Sequence, residues 1–369
     1  MHPGHVPTQY CETMTPYRKT AALIDLDAIR ANVATIKRTY PGYAHYLGVV
    51  KADSYGLGTE PVIRAIVEGG CDSLCVSLVD EGLDVRRYLP EVPVMILVPV
   101  ADDALPVLAR ESVAVTVATR EQAEAASRVP GLKVFIRANG GDDIFGGPTT
   151  KAGFEEVYDL LMGSPAVLEG IYLHTFNTED ADLTSKEYAL FEELTAGIDL
   201  TAIPVVSTSN SLSMPRYPKK SYCNAARIGN IIYGIENESE ELKNCFVLSS
   251  EVMDIVHLAQ GQSIGYGQAY TATTRDQTIA VVPIGYGDGF PKINAGRAVY
   301  IGDRPYTILT VTMDVTLLLV DPSVNPGDEV LLIRDARHLD EIALHNHGVA
   351  EEAISLLNQR IPRVYRSSR

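Results

Sequence analysis

YLGVVKADSYGLG (residues 46–58) carries a short, continuously apolar stretch straight into a lysine and a turn with two glycines. A run that is apolar at every position has both faces covered, as in a buried parallel sheet; a half-exposed strand alternates instead. Upstream, residues 25–40 place Leu26, Ile29, Val33 and Ile36 at helical spacing, with Asp27 near the start and Pro41 beyond the end. Downstream come SLCVSLV (73–79), PVMILV (93–98), VAVTVA (113–118), KVFIRA (133–138), LEGIYLHTF (168–176) and PVVSTS (204–209), each followed by a helix-like segment, with ARIGNIIYG (226–234) as an eighth unit. Apolar strands separated by helices form a parallel sheet. About eight such units in roughly 215 residues fit a closed (β/α)8 barrel better than an open doubly wound sheet.

After about residue 245 the rhythm changes. QTIAVVPIGYG, AVYIGDRPYTILTV, TLLLV and GDEVLLI are β-rich and separated by Gly, Pro and Asp turns. The expected organisation is a leader (1–20), a barrel (21–245) and a mainly β domain (246–369). A net charge of −16 disfavours a nucleic-acid partner, because the field repels phosphate backbones. No apolar run approaches the roughly 18 residues needed to span a bilayer, and the leader lacks the apolar core of a signal peptide, so a cytoplasmic protein is expected. Cys11, Cys71, Cys75, Cys223 and Cys245 are scattered. They read as reduced thiols rather than metal ligands.

Strand C-termini form the active-site face of a barrel, so Lys51 would point its amine into the mouth. A desolvated lysine has a lowered pKa and can bond covalently to an aldehyde cofactor. The residues alone leave a second reading, an ordinary lysine opening a surface loop. Similar pairs stay open elsewhere. His174 is a core histidine or a functional one, Arg227 a structural ion-pair partner or a site residue, Tyr266 a turn aromatic or a catalytic phenol, and Met313 core filler or a binding residue. His345 and His347 alternate as metal ligands do, but no third ligand accompanies them, and they read as a polar turn; no metal is expected.

Residues 46–58 resemble the lysine motif of the alanine racemases, enzymes dependent on pyridoxal 5'-phosphate (PLP), and the resemblance continues along the chain. IDLDAIRANV (24–33) resembles that family's opening helix, and YLHTF (172–176) places His174 at its histidine after the sixth strand. SNSLSMPRYP (209–218) resembles its Asn-Ser phosphate segment, carrying over Ser211, and ARIGNIIYG its Arg-x-Gly run, carrying over Arg227, Gly229 and Asn230. SIGYGQAY (263–270) matches the Gly-Tyr-Gly motif of the catalytic tyrosine, Tyr266. VVPIGYGDGFP, TMDV and RIPRVY add Tyr286, Met313, Asp314 and the closing motif.

The resemblance implies racemisation of a small amino acid, L-alanine to D-alanine first, in a homodimer whose subunits complete each other's sites with Tyr266 and Met313. Inverting a carbon requires a proton removed from one face and another delivered to the opposite face, hence two bases, Lys51 and Tyr266. A free phenol titrates near pH 10, so Tyr266 needs a nearby cation, His174 or Arg227, to act at neutrality. Arg227 would face the cofactor's ring nitrogen without giving up its proton. Ser211, Tyr55 and the amides of Gly229 and Asn230 would hold the phosphate.

Two stretches depart from the family pattern. Where it reads Lys-x-Asp-Thr-Gly, two residues, then Arg-Leu-Gly, this chain has Arg137 for the lysine that is often carbamylated, and Ile144-Phe145-Gly146 for Arg-Leu-Gly. Loss of the substrate arginine removes a charge-assisted bond worth about 1.5–3 kcal/mol, unless Arg137 replaces it. Gln359 stands for a tyrosine, and its smaller amide leaves room for a hydroxylated side chain, so serine is the alternative substrate. The rivals are a PLP-dependent decarboxylase, whose Gly-Gly-Gly loop and late cysteine motif are missing, and an inactive PLP-binding homologue.

Overall fold

Eight strands, His45–Val49, Ser73–Val76, Val94–Ile96, Val113–Val117, Lys133–Ala138, Val167–Leu173, a broken seventh and Ala225–Ile228, pair in parallel in chain order. The seventh breaks at Thr208. Its first half, Val205–Ser207, pairs with the sixth strand, and its second, Ser209–Asn210, with the eighth. The eighth pairs with the first, so the ring closes as the expected barrel. This computed structural model describes residues 17–141, 144–235 and 241–368; most of the expected leader, Cys11, Asp142 and Asp143 lie outside the described residues.

The strands are buried nearly throughout because helices cover their outer faces. Gly48 shows how close the layers lie: a Cβ there would meet Ile66 of the helix Glu60–Gly69 at 2.7 Å. The expected first helix is Leu26–Thr39. Its cap is Asp25, whose carboxylate accepts from the amide of Ala28. SLCVSLV is strand only to Val76, because Val79 already opens the next helix.

The chain divides into two compact units, one of Ala22–Val247 with Ile333–Arg369, the other of Leu248–Leu332 with the described residues up to Ala21. In the first unit Arg363–Arg366 pairs in parallel with Ala21–Asp25, two strands that lie outside the barrel's sheet. Helices Ala336–Asn346 and Ala350–Ser355 precede Arg363. LHNHG is therefore not a turn throughout, since the helix runs to Asn346 and His347 ends it in the left-handed conformation.

The other unit is mainly β. Its sheet runs Asp254–Leu258, Gln277–Val282, Thr316–Val320, Arg304–Val311, Ala298–Ile301, with Glu329–Ile333 next. Leu258, Ala272, Ile279 and Leu317 form a small buried cluster. Cys71, Cys75, Cys223 and Cys245 are buried, and burial pushes the Cys75 thiol up to about 12. No helix among the described residues is long and apolar enough to cross a membrane.

Candidate active site

Parallel strands put all their C-terminal ends on one rim, and the candidates of the barrel unit gather there. Lys51 follows the first strand, Arg137 lies near the end of the fifth, and His174 follows the sixth. Ser211 follows the seventh, Arg227 lies in the eighth, and Gly229 and Asn230 come just after it. His174 reports the convergence. Its side chain opens onto the barrel mouth, not the core. Withdrawal from bulk water between the walls, and the charges of Arg227, Arg137 and Lys51, hold its pKa down to about 3. It is therefore a neutral imidazole at pH 7, able to accept a hydrogen bond as well as donate one.

Lys51 begins an unusual turn. Ala52, Asp53, Ser54 and Tyr55 are all left-handed, at φ 53°, 55°, 52° and 60°. An L-residue in that region costs about 1–2 kcal/mol, and such strain collects where geometry serves function. Backbone bonds offset it, from Ser54 to Val50 (3.0 Å) and from Gly58 to Asp53 (2.9 Å). So does Glu81: its carboxylate accepts from Ala52 (2.7 Å), Ser77 (2.8 Å) and Leu78 (3.0 Å). One acid thereby caps a helix and secures the residue beside Lys51.

The turn delivers Tyr55 to the end of the neighbouring eighth strand. A Cβ on Gly229 would lie 2.8 Å from the Tyr55 hydroxyl. The Gly229 amide itself donates to Ser211 Oγ at 2.8 Å. Asn210 braces the segment, donating to Thr175 O and Oγ1 (3.1 and 2.9 Å) and accepting from the amides of Leu212 and Ser213. Two hydroxyls and an amide around a position that only glycine leaves open form a cradle suited to a phosphate.

Arg227 is 4 % exposed, with its guanidinium 4.8 Å from the centre of the Tyr172 ring. It donates to Ser207 O (2.9 Å), Ser207 Oγ (2.8 Å) and Leu173 O (2.7 Å). The structural and functional readings thus meet in one residue, which has no acid among these partners. Arg227→Ala should cost about 3 kcal/mol, because two carbonyls lose their donor where water reaches poorly. The thermal midpoint should fall by roughly 4–5 °C. A midpoint within about 2 °C of wild type would show that these bonds contribute nothing net.

Of the departures, Arg137 is 3 % exposed and stacks over Phe145, 5.1 Å from the ring centre. Ile144 is 67 % exposed. Gln359 is exposed in the turn after Leu357, whose carbonyl, with those of Asn358, Ile361 and Gly56, accepts from Arg363. That guanidinium ties the Gln359 turn to the end of the Lys51 turn.

Tyr266, Tyr286 and Met313 belong to the other unit. Tyr266 is 85 % exposed at the tip of the hairpin Ser263–Ile264/Tyr270–Thr271, where Gly265 and Gly267 take positive φ. Tyr286 and Met313 sit on adjoining loops: the Tyr286 amide donates to Thr312 O and that of Gly287 to Met313 O, both 2.9 Å. Buried Asp288 braces them, accepting from the Gly285 amide and from Arg18 at 2.9 and 2.8 Å. Met313 is not core filler, because its side chain is exposed.

Sequence reading missed Glu81, Ser207, Tyr172 and Phe145. Only Glu81 had a local signal, an acid in the first turn of a helix.

Known proteins resemble this chain along nearly its whole length. Residues 24–237 match the family described as alanine racemase, N-terminal domain, and residues 245–365 the alanine racemase C-terminal domain. The alanine racemase of Streptococcus uberis is 30% identical over 95% of this chain and 98% of its own length. That of Staphylococcus saprophyticus is 27% identical over 96% of each. Among solved structures, alanine racemase from Bacillus anthracis with bound L-Ala-P superposes with a TM-score of 0.87 at 28% identity, covering 96% of this chain and 97% of that one. Alanine racemase from E. faecalis gives 0.86 at 27%, covering 96% and 100%.

Proposed function

Because this chain belongs to the alanine racemase family and is an amino-acid racemase, we propose that it interconverts L- and D-alanine with PLP as cofactor and Lys51 and Tyr266 as the two bases. The observation that carries the reading is the gathering of Lys51, His174, Arg137, Arg227, Ser211 and Gly229 at one barrel rim, in a chain matched to that family along nearly its whole length.

The residues present fit the cofactor. Tyr55, Ser211, Gly229 and Asn230 would hold its phosphate in the cradle that a Cβ on Gly229 would fill. Arg227, its orientation held by Ser207 and Leu173, would face the ring nitrogen. An arginine keeps its proton, so that partner tempers the ring's pull on electrons and disfavours side reactions such as transamination. Bound there, PLP stabilises the negative charge left when the α-carbon loses its proton.

Lys51 takes or returns that proton on one face and Tyr266 on the other. The neutral imidazole of His174 and the charge of Arg227 supply the polar surroundings a working phenolate needs. Arg137, Tyr286, Met313 and Gln359 bind the substrate. A second copy of the chain supplies Tyr266 and Met313, which their exposure leaves available, and covering the mouth excludes water.

The test is solvent deuterium exchange at the α-carbon with the PLP-loaded enzyme, over a panel of amino acids. L-alanine should exchange and yield D-alanine. Serine should follow within roughly tenfold if the Gln359 amide accommodates its hydroxyl, a margin set by about 1 kcal/mol in one side-chain contact. Carbon dioxide release would identify a decarboxylase instead, and cofactor binding without exchange an inactive homologue.

A further inference from the structure

We infer that Tyr172 is the positioning residue that holds Arg227 to the cofactor's ring nitrogen, an inference that rests on PLP lying in this barrel mouth. Arg227 is nearly buried, and its hydrogen bonds run to Ser207 and Leu173, neither of them an acid. A buried cation without an acid must be met by dipoles and by the negative faces of rings. Its guanidinium lies over the Tyr172 ring, 4.8 Å from the centre. Burial pushes the Tyr172 phenol up, so Arg227 meets a neutral ring at pH 7 and not a phenolate.

The ring is itself fixed. Tyr172 lies in the sixth strand and is 3 % exposed. Its hydroxyl donates to Leu97 O at 3.1 Å, just past the third strand. It also lies 3.1 Å from Oγ1 of Thr116 in the fourth, which donates to Ile96 O at 2.8 Å. Arg227 reaches the same ring from the eighth strand, so the tyrosine spans the barrel interior as a brace beneath the mouth. A tyrosine has few rotatable bonds, and this one is held at both ends. A long arginine side chain has many, and resting on the brace it has less rotamer freedom left to lose when a ligand binds. Ser207 and Leu173 hold the guanidinium by its N–H groups, and Tyr172 supplies the surface on which it rests.

The experiment titrates the full-length, PLP-free protein with PLP and with its deaza analogue, in which C–H replaces the ring nitrogen, and compares the two Kd values within each variant. Both compounds carry the aldehyde and the phosphate, so the contributions of Lys51 and of the phosphate cradle largely cancel in the ratio. Wild type should prefer PLP by roughly 10–100-fold, the range of a hydrogen bond to a charged group. Tyr172→Leu removes the ring and should cut that preference by roughly 2–30-fold, the range of a cation–π contact. Tyr172→Phe keeps the ring and should hold the preference within about twofold of wild type. Tyr172→Met, whose flexible side chain fills irregular space, serves if Tyr172→Leu does not fold. An undiminished preference in the ringless variant overturns the proposal, even where both Kd values weaken together, because that pattern marks general damage. Loss of the preference in Tyr172→Phe also overturns it, by assigning the effect to the hydroxyl. A wild type with no preference for PLP would sink the ring-nitrogen reading of Arg227, and the role of Tyr172 with it.

Discussion

Lys51→Ala should abolish α-carbon exchange, lowering it by at least about 10⁴-fold for both alanine enantiomers while the fold survives. The size follows from two losses at one atom. The variant lacks the amine that bonds the cofactor and the base that works one face of the α-carbon, and general base catalysis alone contributes about 10²–10⁴-fold. The fold should be spared because the Lys51 side chain is exposed at the mouth, and the turn is held by other groups, chiefly Glu81 on the Ala52 amide and the Ser54 and Gly58 backbone bonds. The visible absorbance of the loaded protein should change with the lost covalent link, and circular dichroism should not. Exchange within tenfold of wild type would remove Lys51 from the mechanism.

Tyr266→Phe should separate the two faces. It deletes one oxygen from a side chain that is 85 % exposed, so folding should be unaffected. Racemisation should fall about 10²–10⁴-fold, because the face opposite Lys51 has lost its acid–base group. The enantiomer whose hydrogen faces Lys51 should still exchange with solvent deuterium and keep its configuration; the other should not. Equal loss for both enantiomers, or racemisation near the wild-type rate, would contradict a two-base scheme. Mixing the two inactive variants then tests the shared site. If the phenol comes from the partner subunit, a mixed dimer rebuilds one intact site of two, and random pairing restores about a quarter of the wild-type rate. If each chain uses its own tyrosine, mixing restores nothing.

Much of this was legible from local pattern. Most barrel strands announced themselves by a largely apolar run, because a strand covered on both faces has few polar positions to spare. Parallel strands then bring their C-terminal ends to one rim, so a lysine after the first strand and a histidine after the sixth could be assigned to the same mouth from order alone. Assigning chemistry to them was a different matter, since Lys51, His174 and Arg227 each had an ordinary alternative, and resemblance to a family chose between them.

What the sequence by itself determined was the repeating unit and the side of the barrel on which chemistry could occur, because strand and helix periods are set within a few residues of each position. Only the tertiary structure decided which groups meet. Glu81 reaches back 29 residues to Ala52, Ser207 and Leu173 grip Arg227 from 20 and 54 residues away, and the segment beginning at Ile333 joins the barrel unit. Those contacts depend on chain closure rather than local preference, and no spacing along the chain encodes the contact of Phe145 with Arg137.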